Sequence, residues 1–142
     1  KLTIIAIVGL VSILSLVWSK QYGLNPDLNH SSAEAVAVSY VKTFAAAKDA
    51  SFFNRQDKAA YNLLTVEAKA EVEAKAGSLL AKLVEFNGGS LSPNSFFLNR
   101  LIEQGDKAIA DFTWIYKDEL KKTIFLVKRG DNWEIYSVVN TQ

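Results

Sequence analysis

The sequence has no cysteine and no methionine, one histidine and two prolines among its 142 residues. Without cysteine there is no disulfide framework, thiolate nucleophile, Cys-based metal site or lipid-attachment cysteine. The single histidine, His30, leaves little material for general acid–base chemistry near neutral pH, and a serine nucleophile would lack its base. Strong charge of either sign is missing too. The 16 basic and 15 acidic residues leave a net +1, far from the basic excess of a nucleic-acid binder. No His/Asp/Glu set has metal-ligand spacing. Gly88-Gly89 is followed by neither the Lys-Ser/Thr nor the helix of a phosphate loop. No catalytic, cofactor-binding or metal residue is therefore assigned, and a non-enzymatic role is expected. The missing methionine further implies residues ahead of Lys1, whose charges would set membrane topology.

What is present is one long apolar run. Residues 2–18 read LTIIAIVGLVSILSLVW, without a charge and with Thr3, Ser12 and Ser15 as the polar members. As a helix they would rise about 26 Å, close to the roughly 30 Å hydrocarbon core of a bilayer. Lys1 and Lys20 bracket the run, and Trp18 and Tyr22 stand where amphipathic rings favour the membrane–water boundary. A signal-peptide core would be shorter and would end in a small-x-small cleavage site, which VWSKQYG does not offer. The reading is a membrane anchor over 1–22, with Leu2, Ile5, Val8, Leu10, Leu14 and Trp18 meeting lipid. Gly9, Ser12 and Ser15 supply a small-residue path for helix–helix contact.

Gly23, Pro26 and the Asn/Asp residues of 23–30 mark a linker, with His30 expected to be an exposed linker or cap residue. Ser31-Ser32-Ala33-Glu34 then supplies S-x-x-E, a capping box with Ser31 as the N-cap. Val36, Tyr40 and Phe44, flanked by Ala33, Ala37 and Val41, form one apolar helical face. A second helical region covers about 56–86, with Thr65 and Gly77 as interruptions and Thr65 as a cap. Its charge run Glu67, Lys69, Glu71, Glu73 and Lys75 reads as a solvated face. After Asn87-Gly88-Gly89-Ser90 the period changes to two. Strands are expected over 96–103, 107–116, 121–128 and 133–139, joined by short turns as an antiparallel meander. Residues 31–142 are thus expected to form an α+β domain, two or three helices packed on one face of a curved four-stranded antiparallel sheet.

Two clusters in this domain carry chemistry. Asp111 is the one acid in mid-strand, opposite in parity to Phe112 and Trp114, and so is expected toward solvent. On a concave face it would instead form a polar pocket with Tyr116 or Tyr136. Lys117, Lys121, Lys122, Lys128 and Arg129 cluster near strand ends beside Trp114 and Trp133. Asp118, Glu119 and Asp131 dilute that cluster and the tryptophans have core parity, so solvated turns are expected and nucleic acid is not.

AEAVAVSYVKTFAAAKDASFF at the head of the domain and LVKRGDNWEIYSVV at its end resemble the nuclear transport factor two-like (cystatin-like) superfamily. The closing motif is carried by Lys128, Gly130, Trp133 and Ile135. The likeness is greatest to small bacterial membrane-anchored envelope domains, and the architecture resembles the bitopic scaffold subunit of type IV secretion systems. The resemblance implies a cone-like fold and assembly with membrane protein subunits, without a cofactor; homo-oligomers fit as well. Enzymes of the group place His and Asp inside the cone, whereas His30 lies outside it. A short amino-terminal stub, one span and a folded domain is the usual plan of a single-pass protein of the inner (plasma) membrane, with its domain on the external or periplasmic side. Two other readings stand beside this one. A pilin-like subunit would polymerise through its apolar helix, though Ile5 stands where such helices usually carry Glu. A small-ligand or enzymatic domain would use the sheet–helix pocket.

Overall fold

The computed structural model describes residues 20–21, 31–46, 53–89, 93, 95–115 and 117–141. The apolar run, including the residues expected to meet lipid and its small residues, the predicted linker, His30 and Tyr116 lie outside the described residues. Among those described, no helix is long and apolar enough to cross a membrane.

Helix α1 (Ala33–Ala46) is capped by Ser32, not by Ser31 as the capping box implies. Ser32 Oγ accepts from Ala35 N at 3.0 Å, and its carbonyl accepts from Val36 N. With the cap moved by one residue, Glu34 falls within the first turn, where a carboxylate favours the helix dipole. The 56–86 region is three helices rather than one or two: α2 (Phe53–Tyr61), α3 (Val66–Glu73) and α4 (Leu79–Phe86). Both interruptions are complete, so the described residues hold four helices. Thr65 Oγ1 accepts from Ala68 N at 3.0 Å and Ser78 Oγ from Ala81 N at 3.2 Å. The α3 helix closes at its C-cap Ala74, and Gly77 takes φ +102, open to glycine but strained for other residues, in the turn that leads to the Ser78 cap of α4.

Strands β2 (Ser95–Gln104), β3 (Lys107–Ile115), β4 (Glu119–Arg129) and β5 (Asn132–Asn140) form the expected antiparallel meander. A two-residue strand, β1 (Lys20–Gln21), adds to the outer edge of β2 and makes the order β1-β2-β3-β4-β5. These two residues, inside the predicted 1–22 anchor range, are therefore part of the sheet. The architecture is α+β, helices on one side of an antiparallel sheet.

Helix α1 touches all four long strands, and α3 reaches β5. Val36, Tyr40 and Phe44 are buried as their spacing predicts, against Phe96, Phe112, Trp114, Ile124 and Leu126. Phe44 stacks near Trp114 at 6.4 Å between ring centres, and Tyr40 meets Phe44 edge-on at 4.9 Å. Each such side chain contributes about 1.5–3 kcal/mol by leaving water. In the β4–β5 turn Gly130 adopts φ +62, and Trp133 and Ile135 point together into the core. The outer edge of β5 is covered at its middle. Ile135 N donates to Leu63 O and Thr65 N to Ile135 O, both at 2.8 Å, which blunts a strand edge open to foreign pairing.

Two bulges interrupt the ladder. One lies between Leu98 and Arg100 and leaves Asn99 as the extra residue opposite Phe112–Asp111. The other lies opposite Phe125–Leu126 and leaves Tyr136 as the extra residue. Each reverses which side chains face the helices: Phe96 and Leu98 give way to Leu101, and Trp133 and Ile135 to Val138.

Candidate functional site on the open face of the sheet

The helices occupy one face of the sheet, and no described element packs over the other. Parity places Ile109, Asp111 and Thr113 of β3 there, opposite the buried Ala110, Phe112 and Trp114. The registers then assemble three cross-strand rows. Ile102, Ile109 and Phe125 pair in sequence, and the Tyr136 ring lies 5.9 Å from that of Phe125. Next comes Arg100, Asp111 and Thr123; in the third row Thr113 pairs with Phe97 and Lys121, and the bulged Asn99 joins it by a side-chain hydrogen bond.

The middle row is a hydrogen-bonded unit. Arg100 donates Nη2 to Asp111 Oδ2 at 2.7 Å and Nε to the same oxygen at 2.9 Å. Thr123 Oγ1 donates to Asp111 Oδ1 at 2.7 Å. In the polar row, Thr113 Oγ1 accepts from Asn99 Nδ2 at 2.6 Å and from Lys121 Nζ at 2.9 Å. Between the rows runs a shallow groove of about 540 Å³, walled by Arg100, Ile109, Asp111, Lys121, Thr123 and Phe125. Because Arg100 offsets Asp111, the cation of Lys121 is what the groove wall has left over. The surface is an apolar strip beside a largely neutralised polar net, suited to burying a complementary strip. Among the described residues no His/Asp/Glu group could hold a metal ion.

The structure brings Asp111 and Tyr136 to one face, but not between sheet and helices. Asp111 turns away from the helices as its parity predicts. Tyr136 joins that face because the bulge places it beside Phe125, one row away from Asp111. Arg100, Thr123 and Phe125 were not singled out in the sequence. An arginine inside the strand-like run FFLNRLIEQ was the available signal, but its pairing with Asp111 depends on the register.

Of the basic cluster, Lys117, Lys121, Lys128 and Arg129 are exposed, whereas Trp114 and Trp133 are buried and offer these four cations no exposed ring. Lys122 departs from the expected solvated turn: it is fully buried. Its parity matches Ile124 and Leu126, which carries it to the covered face. Nζ donates to the Asn87 carbonyl and, at 2.5 Å, to Asn140 Oδ1, and lies 5.0 Å from the centre of the Trp114 ring. Asn87 is the C-cap of α4, so the ammonium meets the negative end of a helix. Asn140 Nδ2 donates to Gly88 O at 3.3 Å. Gly88 has φ +90, and a Cβ there would come within 2.9 Å of Asn140. The Tyr40 hydroxyl donates to Asn87 Oδ1 at 2.6 Å, and burial raises its pKa well above the ordinary value. Burial lowers the Lys122 pKa to about 8. A lysine so tuned can act as a nucleophile, but with no exposure this one cannot meet a substrate from solvent. It works as a joint between α4 and the end of the sheet.

No family model, curated protein or solved structure matches the chain.

Proposed function

We propose that this chain is a non-catalytic, single-pass accessory or scaffold subunit of a cell-envelope membrane complex, with a nuclear transport factor two-like head. In this reading residues 2–18 span the inner membrane, the head stands on the external side, and the open sheet face binds a partner subunit. The observation that carries it is the row Ile102, Ile109, Phe125 and Tyr136, an apolar strip crossing four strands with no described element over it. Ile109 and Tyr136 keep 36% and 41% of their surface accessible, and apolar area of this kind marks interaction sites when it is contiguous. The partner is a protein presenting its own apolar strip, with a carboxylate placed to meet Lys121. Membrane confinement raises the effective concentration of such a pair without any new contact.

The test is gentle detergent extraction of the full chain from its native membranes, followed by co-purification. The chain should bring down membrane proteins in fixed proportion, and Phe125→Ser with Ile109→Ser should lose them while the head stays folded by circular dichroism. Undiminished co-purification by the double variant rules out the open face as the docking surface. Sheared filaments containing the chain would favour the pilin-like reading instead.

A further inference from the structure

A single residue, Ser19, separates Trp18 from Lys20. Lys20 is paired with Leu98, and Gln21 with Phe97, on the outer edge of β2. Sheet pairing thus begins two residues after the apolar run, ahead of the predicted linker. Residues 22–30 join β1 to α1, and do not separate the run from the sheet. Two extended residues reach about 7 Å at most. Because β1 is antiparallel to β2, its amino end, Lys20, lies on the side of β2 that leads to Arg100 and Gln104.

We propose that the head is docked edge-on to the bilayer, with the 99–104 half of β2 against the lipid headgroups. This rests on the reading of residues 2–18 as a membrane span. The side chains along that half suit an interface of phosphates and glycerol. Arg100 leaves half of its side chain accessible while holding Asp111, Gln104 is exposed, and Asn99 and Ile102 are half-buried. Glu103, also half-buried, is the one carboxylate of this stretch, and it falls on the face opposite Arg100. With β2 at the membrane, β5 and α3 stand farthest away, since three strand spacings of about 4.8 Å separate β2 from β5. The open face then stands roughly upright on the membrane, turned sideways toward a neighbouring subunit rather than down into lipid.

The absence of native cysteine makes the test clean. Gln104→Cys and Glu71→Cys, both at exposed positions, are labelled separately with a fluorophore in the full chain. The chain is then placed in vesicles of phosphatidylcholine with a minority of phosphatidylglycerol, carrying a nitroxide on the headgroup. The label at 104 should be quenched several-fold more than the label at 71. A flexible Gly/Ser spacer inserted between Ser19 and Lys20 should abolish that difference while β1 remains intact. Equal quenching in the unmodified chain, or stronger quenching at 71, overturns the edge-on arrangement. Alkaline extraction of the vesicles separates the two levels. A chain that resists extraction but quenches equally leaves the span standing and removes the docking, whereas a chain washed off by alkali removes both.

Discussion

On the covered face of the sheet, Phe112, Trp114, Ile124 and Leu126 are all but inaccessible. Across the same backbone, Ile109, Tyr136 and Val139 each leave more than a third of their surface to solvent. Polar groups differ in the same way. Asp111 has Arg100 and Thr123 beside it and water within reach. Lys122 has two carbonyl oxygens, an aromatic face and no carboxylate. The covered face therefore holds the stability of the domain, and its one charge is held there at a cost. The open face can change its side chains cheaply, as an interaction surface requires.

The largest effect should come from truncation on the covered face. Trp114→Ala is expected to cost about 3–5 kcal/mol, the range for removing a buried aromatic. Phe125→Ala on the open face should cost less, about 1–2 kcal/mol, since Phe125 is only half-buried and its truncation leaves a space open to water. Urea midpoints at unchanged slope measure both, and equal losses would erase the distinction between the faces.

Lys122 sharpens the contrast through pH. Its pKa falls from an ordinary 10.5 to about 8 because burial disfavours the ammonium. Between those values the unfolded chain holds the proton and the folded chain does not, so stability should rise with pH across that window. The rise is on the order of 2–3 kcal/mol. Lys122→Met should flatten it. Above about pH 10 the buried Tyr40 phenol, which resists ionisation, pulls the wild-type and variant curves down together. Urea titrations at stepped pH would show whether the two curves differ as expected.

Asp57 gives the opposite slope. It is buried in α2, and its Oδ1 finds no hydrogen bond among the described residues. Burial raises its pKa from 3.8 to about 6. Here the folded state holds the extra proton, so its contribution is complete below the lower value and is lost as pH rises through the upper one. Asp57→Asn should remove that decline and stabilise the domain at pH 7 by roughly 1–2 kcal/mol. Thermal unfolding at pH 4 and pH 7 reads the difference.

The smallest effect belongs to the open-face ion pair. Arg100→Ala should cost about 0.5–1 kcal/mol, and less in high salt, because Arg100 is half exposed and water competes for both charges. A loss as large as that from Trp114→Ala would mean that this face is as tightly built as the other.

How far these features could be read beforehand depended on how local their causes are. The Thr65 cap and the Gly77 break were legible because each is decided within a turn of chain. The alternation from Ala108 to Trp114 was legible for the same reason, and with it the outward side of Asp111. The S-x-x-E pattern fits Ser31 as a cap, but Ser32 is the residue at the observed start, one position on. The two bulges were hidden. An extra residue at Asn99 or Tyr136 is chosen by the partner strand, and its effect is to reverse the parity on which a reading of sequence relies. At Lys122 two local signals conflict: its charge argues for water, while its position in Lys122-x-Ile124-x-Leu126 argues for the core.

By itself, the sequence determined the succession of helices and then strands, the apolar faces that meet in the core, and the long greasy run at residues 2–18. These follow from side-chain period and from solvation, which act over a few residues. Only the tertiary structure decided that Arg100 meets Asp111, that Tyr136 lies by Phe125, and that Lys122 closes the end of α4. It also decided that Lys20 and Gln21 join the sheet. Those facts depend on strand register and on which face the helices cover, both set by contacts between segments far apart in the chain.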